Sequence, residues 1–235
     1  MNVLVACEES QRVCSAFRDR GHRAFSCDIL PCSGGHPEWH IQGDVLPLLN
    51  GNCTFQTADT HTHTQRGKWD LIIAFPPCTY ISNAGACRLY PKAGQLDMER
   101  YANGLKGKAF FMAFWWYGFY GCGKIAIENP VSSTVFEMPE CTQEIQPWMF
   151  GHPVTKKTRL WLFGLPELKP TNAVKPEAPY CPSDTGRKIR ASYGRAKRGE
   201  DAINRAKTFS GIATAMAEQW GNPDSYQMQE TIEGW

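Results

Sequence analysis

The chain has 235 residues, of which 42% are hydrophobic and 20% are charged, a composition that excludes disordered and collagen-like proteins. No stretch approaches the about 20 apolar residues of a membrane helix, and the N-terminus lacks the basic region and cleavage site of a secretion signal. We therefore expect a cytoplasmic protein without a membrane segment, with a net charge of only +2 and with ten reduced cysteines.

The first thirty residues have the pattern of a nucleotide-binding βαβ unit. Residues 2–6 form an apolar run, residues 10–20 have helical spacing of apolar side chains, and residues 24–27 form a second strand that ends at Asp28. A strand, a helix, a second strand and a terminal acid within about thirty residues are typical of that unit.

The next segment predicts mainly loops. Residues 31–40 are rich in glycine, proline and histidine, and Gly43-Asp44-Val45 follows a possible short strand. Residues 51–67 are polar and predict a surface insertion with exposed histidines. Four side chains here have intervals that could hold zinc, but the spacing is not that of a zinc finger, and we predict no metal; they are Cys27, Cys32, His36 and His40.

The remaining pattern alternates strands with helices. Residues 69–75 predict a buried strand that stops at two prolines, and residues 96–120 predict a helix whose aromatic end packs in the core. Further strands are expected at 124–127 and 158–163, and a last helix at 212–220. This alternation predicts an α/β fold with a mostly parallel sheet and flanking helices.

Basic residues are concentrated late in the chain. Residues 151–210 contain thirteen lysines and arginines against five acidic residues, and most of them crowd between Arg187 and Lys207. Such a cluster fits a polyanion, because lysine and arginine displace counterions from phosphates. A solvated surface is the alternative.

Three predicted strands end at groups that can do chemistry, namely Asp28, Pro76-Pro77-Cys78 and Glu128. In an open parallel sheet, ligands bind outside the carboxyl ends of the strands, so Cys78 and Glu128 should face one crevice. A thiol nucleophile beside a carboxylic acid is a pair for covalent catalysis.

Four motifs resemble those of the DNA cytosine-C5 methyltransferases and occur along the chain in the same order as in that family. Pro76-Pro77-Cys78 with the trailing Ser82 is similar to that family's Pro-Pro-Cys loop, and Glu128-Asn129-Pro130 is similar to its Glu-Asn-Val motif. Gly43-Asp44-Val45 is similar to its Gly-Asp-Ile motif, and residues 158–164 resemble its arginine-containing strand. The resemblance implies a Rossmann-like class I fold that uses S-adenosylmethionine.

The resemblance also implies roles for individual residues. Cys78 would add to C6 of a flipped cytosine, Glu128 would hold a proton at N3, and Arg159 would steady the base or a phosphate. The residues implied for the cofactor are Ala6, Cys7, Glu8, Asp28, Ile29, Asp44, Val45, Phe75 and Pro76. The resemblance implies Pro77, Ser82 and Asn129 for DNA, and the basic cluster adds Arg187, Lys188, Arg190 and Arg195.

Two features depart from the family. The loop after the first strand has no glycine, which limits positive φ angles there. Only residues 166–207 are available for target recognition, between a catalytic core of residues 1–165 and a returning helix and tail of residues 208–235. We therefore expect methylation of C5 of cytosine in DNA with short, phosphate-dominated readout. The alternatives are the same chemistry on RNA or a free pyrimidine nucleotide, and a catalytically silent nucleic-acid-binding protein.

Overall fold

A computed structural model describes residues 1–92, 94–121, 123–176, 180–182, 188–190 and 207–222. For Cys87 and for the segments 180–182 and 188–190, it describes the backbone only. The helices are α1 (Arg12–Arg18), α2 (Met98–Tyr120) and α3 (Ser210–Trp220). The strands are β1 (Asn2–Ala6), β2 (Arg23–Asp28), β3 (His40–Gln42), β4 (Cys53–Gln56), β5 (Thr62–Gln65), β6 (Leu71–Ala74), β7 (Ile125–Pro130), β8 (Gln143–Ile145), β9 (Thr158–Phe163), β10 (Tyr180–Pro182) and β11 (Lys188–Arg190).

Seven strands form one sheet in the order β3-β2-β1-β6-β7-β9-β8. The pairs from β3 through β7 are parallel, and β9 runs antiparallel between β7 and β8. The predicted α/β class with a mostly parallel sheet and flanking helices is therefore confirmed. β4 pairs with β5 and β10 pairs with β11 in two separate antiparallel ribbons.

Each face of the sheet is covered by different helices because side chains alternate along every strand. Val3, Val5 and Ile73 pack into a core with α1 and α3. Leu4 and Ile72 belong to the opposite core, which contains the buried face of α2. The sheet is thus buried on both sides, as parallel sheets usually are.

The helices α1 and α3 run side by side in the same direction. A guanidinium nitrogen of Arg12 donates to the carbonyl of Thr208 at 2.8 Å, and at the other end Arg20 pairs with Glu218 at 2.5 Å. Since α1 follows β1, both helices begin at the edge of the sheet where the parallel strands end. We call this the carboxyl edge.

The aromatic end of α2 is only partly buried. Phe111 and Phe114 lie in the core, whereas Trp116, Phe119 and Tyr120 are 47%, 59% and 71% exposed. The prediction that the aromatic side chains of residues 110–117 pack in the core is therefore wrong for Trp116, and Phe119 and Tyr120 extend this exposed side. No helix in the described ranges has the length and apolar character needed to cross a bilayer.

Two segments with little strand signal contain strands. The possible short strand before Gly43 is present as β3, and residues 51–67, predicted as a surface insertion, form the hairpin of β4 and β5. His61 is exposed as expected, but His63 is partly buried, with its ring centroid 4.9 Å from that of Phe25. Because most residues of this hairpin are polar, its sequence did not indicate that one side packs on β2.

Candidate active site

The carboxyl edge has a switch point between β1 and β6. From β1 the chain proceeds to β2 and β3 on one side, and from β6 it proceeds to β7 on the other. Connections that leave in opposite directions open a crevice outside the strand ends, where α/β proteins of this topology bind ligands. The loops after β1, β2, β3, β6 and β7 carry the predicted site residues.

The structure brings the loops of Cys78 and Glu128 together. Nδ2 of Asn129 donates a hydrogen bond of 2.8 Å to the carbonyl of Pro76, which ties the loop after β6 to β7. A second tie is the bond of 2.8 Å from the backbone N–H of Ser133 to the carbonyl of Ile81. These bonds hold the loop of Cys78 beside the end of β7.

Cys78 and Glu128 are electrostatically coupled. Burial and, to a lesser extent, the negative charge of Glu128 raise the pKa of the Cys78 thiol, whereas Lys156 lowers it, and the net pKa is about 11. Burial of its carboxyl group also raises the pKa of Glu128, against the opposing effects of Lys156 and the Thr158 hydroxyl. The thiol is therefore protonated in the resting protein, and the carboxyl holds its proton to a higher pH than an exposed one.

Arg159 is not brought to this pair. Its Nε lies 3.0 Å from a carboxylate oxygen of Glu144 in the neighbouring strand β8. Thr158, the preceding residue, interacts with Glu128, and successive side chains of a strand point to opposite faces. Arg159 therefore lies on the face opposite Thr158, where it pairs with Glu144 instead of Glu128.

The cation that acts on both groups is Lys156, which the sequence motifs do not include. It precedes β9, where its backbone N–H donates to Oε1 of Gln146 at 2.9 Å and its carbonyl accepts from Thr158 at 3.2 Å. Alternation extended backwards from Thr158 is the signal that could have placed Lys156 on the face of Glu128.

The loop after β1 turns without glycine. Cys7 and Gln11 adopt left-handed backbone conformations with φ of 59° and 57°. The N–H of Cys7 donates to the carbonyl of Cys27 at 2.7 Å, and the side-chain amide of Gln11 bonds both the N–H and the carbonyl of His36 at 3.0 and 2.7 Å. These bonds offset the steric cost of a left-handed non-glycine residue. The missing glycine therefore does not prevent the positive φ angles.

Asp28 and Asp44 stand near Cys7 at the ends of β2 and β3. Burial raises the pKa of the Cys7 thiol, and the charges of both aspartates raise it further. One carboxylate oxygen of each aspartate accepts a backbone N–H two residues later, at 2.9 and 3.0 Å. Ile29, next to Asp28, is 75% exposed. Two carboxylates and an uncovered apolar side chain thus lie together at the carboxyl edge.

Glu8 has a partner inside the protein. It is 4% exposed, and its two carboxylate oxygens accept the backbone N–H groups of Val13 and Cys14 at 2.7 and 3.1 Å. Burial raises the pKa of Glu8 to about 7, while these two bonds lower it. The carboxylate caps the N-terminus of α1, so its role in cofactor binding stays a prediction.

The other predicted cofactor residues line the base of the same edge. Ala6 and Val45 are buried, and Pro76 is buried where β6 ends. Phe75 is half-buried, and its N–H donates to the carbonyl of Ala6 at 2.9 Å, which continues the pairing of β6 with β1. These four side chains provide apolar walls near the strand ends.

The predicted DNA-binding residues fall into two groups. Pro77 is exposed, Ser82 bonds back to the carbonyl of Cys78 at 2.9 Å through its N–H, and Asn129 is buried with its Oδ1 unpartnered among the described residues. Lys188 and Arg190 lie in β11, where only the backbone is described. Arg187 and Arg195 lie outside the described residues.

A groove of about 570 Å³ opens between α1, residues 152–154 and the start of α3. Arg12, His152 and Ser210 are among its polar side chains, and Nε2 of His152 accepts the N–H of Gly211 at 3.0 Å. Both helices begin at the carboxyl edge, so one end of the groove, near Arg12 and Ser210, lies at that edge. No sequence motif marks it, since its walls come from three distant segments.

The candidate zinc ligands have other partners. His40 bonds the hydroxyl of Ser26 at 2.9 Å and the carbonyl of Leu30 at 2.9 Å, and His36 stacks on Trp39 with ring centroids 3.8 Å apart. Within the described ranges, no group of three or more histidine, cysteine or acidic side chains is arranged to hold a metal.

No protein-family model and no curated protein matches this chain. The case for a function therefore depends on the residues of the carboxyl edge and on their chemistry.

Proposed function

We propose that this protein is a Rossmann-like class I methyltransferase that uses S-adenosylmethionine to methylate C5 of cytosine in DNA. The observation that carries the proposal is the coupling of Cys78 with Glu128 at the ends of adjacent parallel strands. A thiol next to a carboxyl group of raised pKa combines a nucleophile with a proton donor. The strand order 3-2-1-4-5 of the first five strands in this sheet agrees with a nucleotide-binding scaffold.

The polar and apolar groups present fit an adenosyl cofactor. Asp28 and Asp44 can accept hydrogen bonds from ribose hydroxyls and an adenine amino group, and the exposed Ile29 can cover the apolar face of a base. Arg12, at the start of α1, gives the nearby groove a positive charge that suits a carboxylate. When bound, S-adenosylmethionine supplies an electrophilic methyl group on a sulfonium centre.

Cytosine C5 is a weak nucleophile, and Cys78 supplies what it lacks. Addition of the thiolate to C6 breaks the C5–C6 double bond and makes C5 the nucleophilic carbon of an enamine. Glu128 in its protonated form donates to N3, which neutralises the charge that the addition creates. After C5 has lost its proton, Cys78 leaves with the C6–S bonding pair and the double bond is restored.

The geometry also bears on the kind of substrate. Cys78 and Glu128 are both partly buried beside the strand ends, so a cytosine must leave a base stack to reach them. The basic cluster from Arg187 to Lys207 can hold the phosphates on either side of such a base. Residues 166–207 leave little chain for reading bases, which favours permissive recognition.

The direct test is methyl transfer from labelled S-adenosylmethionine to genomic DNA, RNA and dCTP in parallel. Label in DNA at C5 of cytosine is the expected result, and label confined to RNA or dCTP would replace the substrate class. Folded protein that labels none of the three would overturn the enzymatic proposal and favour a silent nucleic-acid-binding protein.

The residue assignments have their own variants. Cys78→Ser should abolish transfer, and Glu128→Gln should lose most of the rate, while Cys32→Ser, a thiol of the loop after β2, should retain it. Wild-type turnover in Cys78→Ser would remove Cys78 as the nucleophile. Replacing Arg187, Lys188 and Arg190 together by Ala should reduce the slope of log K against log salt by about 0.9 for each phosphate that these side chains neutralise.

A further inference from the structure

Lys156 lies on the face of the sheet that carries Glu128. Its ammonium nitrogen is 5.9 Å from the ring centroid of Phe209, the residue directly before α3. Thr158 interacts with Glu128 on that same face, and Leu160, opposite Glu128 in the pairing of β7 with β9, is buried in the core shared with α3. Lys156, Thr158 and Leu160 follow the two-residue period of a strand.

The neighbouring lysine points the other way. Nζ of Lys157 lies 2.8 Å from a carboxylate oxygen of Glu144, which also pairs with Arg159. Trp161, two residues further on, packs in the core of α2. Lys157 and Arg159 therefore belong to the opposite face. Of the two adjacent lysines, only Lys156 faces the candidate nucleophile, which makes Lys157 a matched control.

In the described part of the chain, few charged groups act on Cys78 and Glu128. Among the described residues, the charged groups that act on the Cys78 thiol are Glu128 and Lys156, and the charged group that acts on Glu128 is Lys156. Two proton arrangements of these three groups have the same total charge: thiol, carboxylate and ammonium, or thiolate, carboxylic acid and ammonium. In either arrangement one anion lies near one cation, which avoids an uncompensated buried charge.

We propose that Lys156 is a positioning residue that balances the charge of the Cys78–Glu128 pair, so that one proton can pass from the thiol to the carboxylate. The S–H bond breaks as the O–H bond of Glu128 forms. This shift produces the nucleophilic thiolate and the acidic carboxyl group in a single step. Neither a metal nor an external base is required for it.

The inference deepens the proposed function and rests on it for the use of this proton. In the proposed methyl transfer, the thiolate electron pair forms the bond to C6 and Glu128 passes its proton to N3. When Cys78 leaves again, N3 returns the proton to Glu128, and the C5 proton goes to solvent. The charge balance itself is a property of the protein without substrate and can be measured separately.

The test is the pH dependence of Cys78 alkylation by iodoacetamide in the full chain, with the Cys78 peptide quantified by mass spectrometry. Only the thiolate reacts, so the rate follows the ionised fraction. An opposite charge commonly lowers a thiol pKa by about one unit or more, so Lys156→Met should slow alkylation about tenfold at a fixed pH and shift the profile to higher pH. Lys156→Arg and Lys157→Met should keep the wild-type profile.

A structural role for Lys156 would change the extent of labelling or the melting temperature without moving the profile. Coincident profiles for Lys156→Met and the wild type, or an equal shift in Lys157→Met, would overturn the inference. If Lys156→Met folds poorly, the pH profile of Cys78 alkylation in Lys156→Gln is compared with that of the wild type instead, and the same outcomes apply. Because alkylation needs neither cofactor nor DNA, a wild-type protein that transfers no methyl group would overturn the proposed function and leave this measurement valid.

Discussion

The side-chain amide of Asn129 donates a hydrogen bond of 2.8 Å to the backbone carbonyl of Pro76. This bond joins β7 to the loop of the candidate nucleophile across 53 residues of sequence. Asn129 is 1% exposed, so the bond is shielded from water. It is the most direct link between the two halves of the proposed catalytic pair.

Asn129→Ala should therefore loosen the loop of Cys78. Loss of a buried hydrogen bond that leaves its partner unsatisfied costs about 1–3 kcal/mol of stability, and misplacement of the nucleophile should reduce methyl transfer by about 10- to 100-fold. Urea unfolding and turnover measure the two effects. Asn83→Ala, at an exposed position after Ser82, is the control and should change neither. Equal rates for Asn129→Ala and the wild type would show that the loop is positioned by other contacts.

Asp28 should determine cofactor affinity. Asp28→Ala removes the carboxylate at the end of β2, which we expect to weaken S-adenosylmethionine binding about 10- to 100-fold, since hydrogen bonds to charged groups contribute about 1.5–3 kcal/mol. Isothermal titration calorimetry without DNA isolates this effect. Asp59→Ala, whose carboxylate is bonded to Thr57 and His61 in the β4–β5 hairpin, should bind normally. Unchanged affinity in Asp28→Ala would place the cofactor elsewhere.

Glu8 should make folding stability depend on pH. Its pKa is about 7 in the folded protein, against an ordinary value of 4.5, so the folded chain retains a proton that the unfolded chain releases. The resulting stabilisation is complete below about pH 4.5 and is lost as the pH rises through about 7, and it amounts to at most about 3 kcal/mol. Glu8→Gln removes this dependence.

The comparison of wild type with Glu8→Gln isolates that effect from other groups. Burial lowers the pKa of three histidines, which changes stability in the opposite direction over a similar range; they are His22, His63 and His152. Urea unfolding gives the free energy of unfolding at each pH. The difference in this free energy between the wild type and Glu8→Gln should change steadily from about pH 5 to about pH 8. A constant difference across that range would show that Glu8 is ionised throughout. Glu9→Gln is the control.

Two glycines of α2 should respond oppositely to alanine. A Cβ at Gly104 would lie 2.2 Å from the ring of Phe136, which belongs to the cluster beneath the Cys78 loop, whereas a Cβ at Gly107 would have its nearest neighbour at 3.4 Å. Gly104→Ala should destabilise by about 1–3 kcal/mol through overpacking. Gly107→Ala should be neutral or should stabilise by up to about 1 kcal/mol, because alanine favours helix. Thermal melts measure both, and similar shifts would show that Phe136 moves aside freely.

The sequence predicted best those elements whose bounds follow from their own residue pattern. The strand at 158–163 has the predicted bounds because its apolar residues are continuous and a glycine follows. Its antiparallel direction could not be predicted, since the pattern of a buried strand is the same in both directions. The left-handed backbone conformations of Cys7 and Gln11 could not be predicted either, because hydrogen bonds to distant segments stabilise them.

The residues of the candidate site were likewise predicted only in part. Motifs brought attention to Cys78, Glu128, Asp28 and Asp44, which all lie at one edge of the sheet. Arg159 belongs to the same motif set, but the two-residue period of β9 directs it to Glu144 on the other face. Lys156 belongs to no motif, and its interactions with Phe209 and Glu128 show on which face it lies.

Cys78 should form a covalent bond to C6 of cytosine during methyl transfer. This bond can be trapped by incubating the protein with S-adenosylmethionine and duplex DNA in which 5-fluorocytosine replaces cytosine, since fluorine at C5 cannot leave as a proton and the adduct persists. Mass spectrometry should detect a DNA–protein adduct on the Cys78 peptide, absent from Cys78→Ser and present in Cys32→Ser. An adduct on another cysteine, or methyl transfer to ordinary DNA with no adduct on the fluorinated duplex, would exclude Cys78 as the covalent nucleophile.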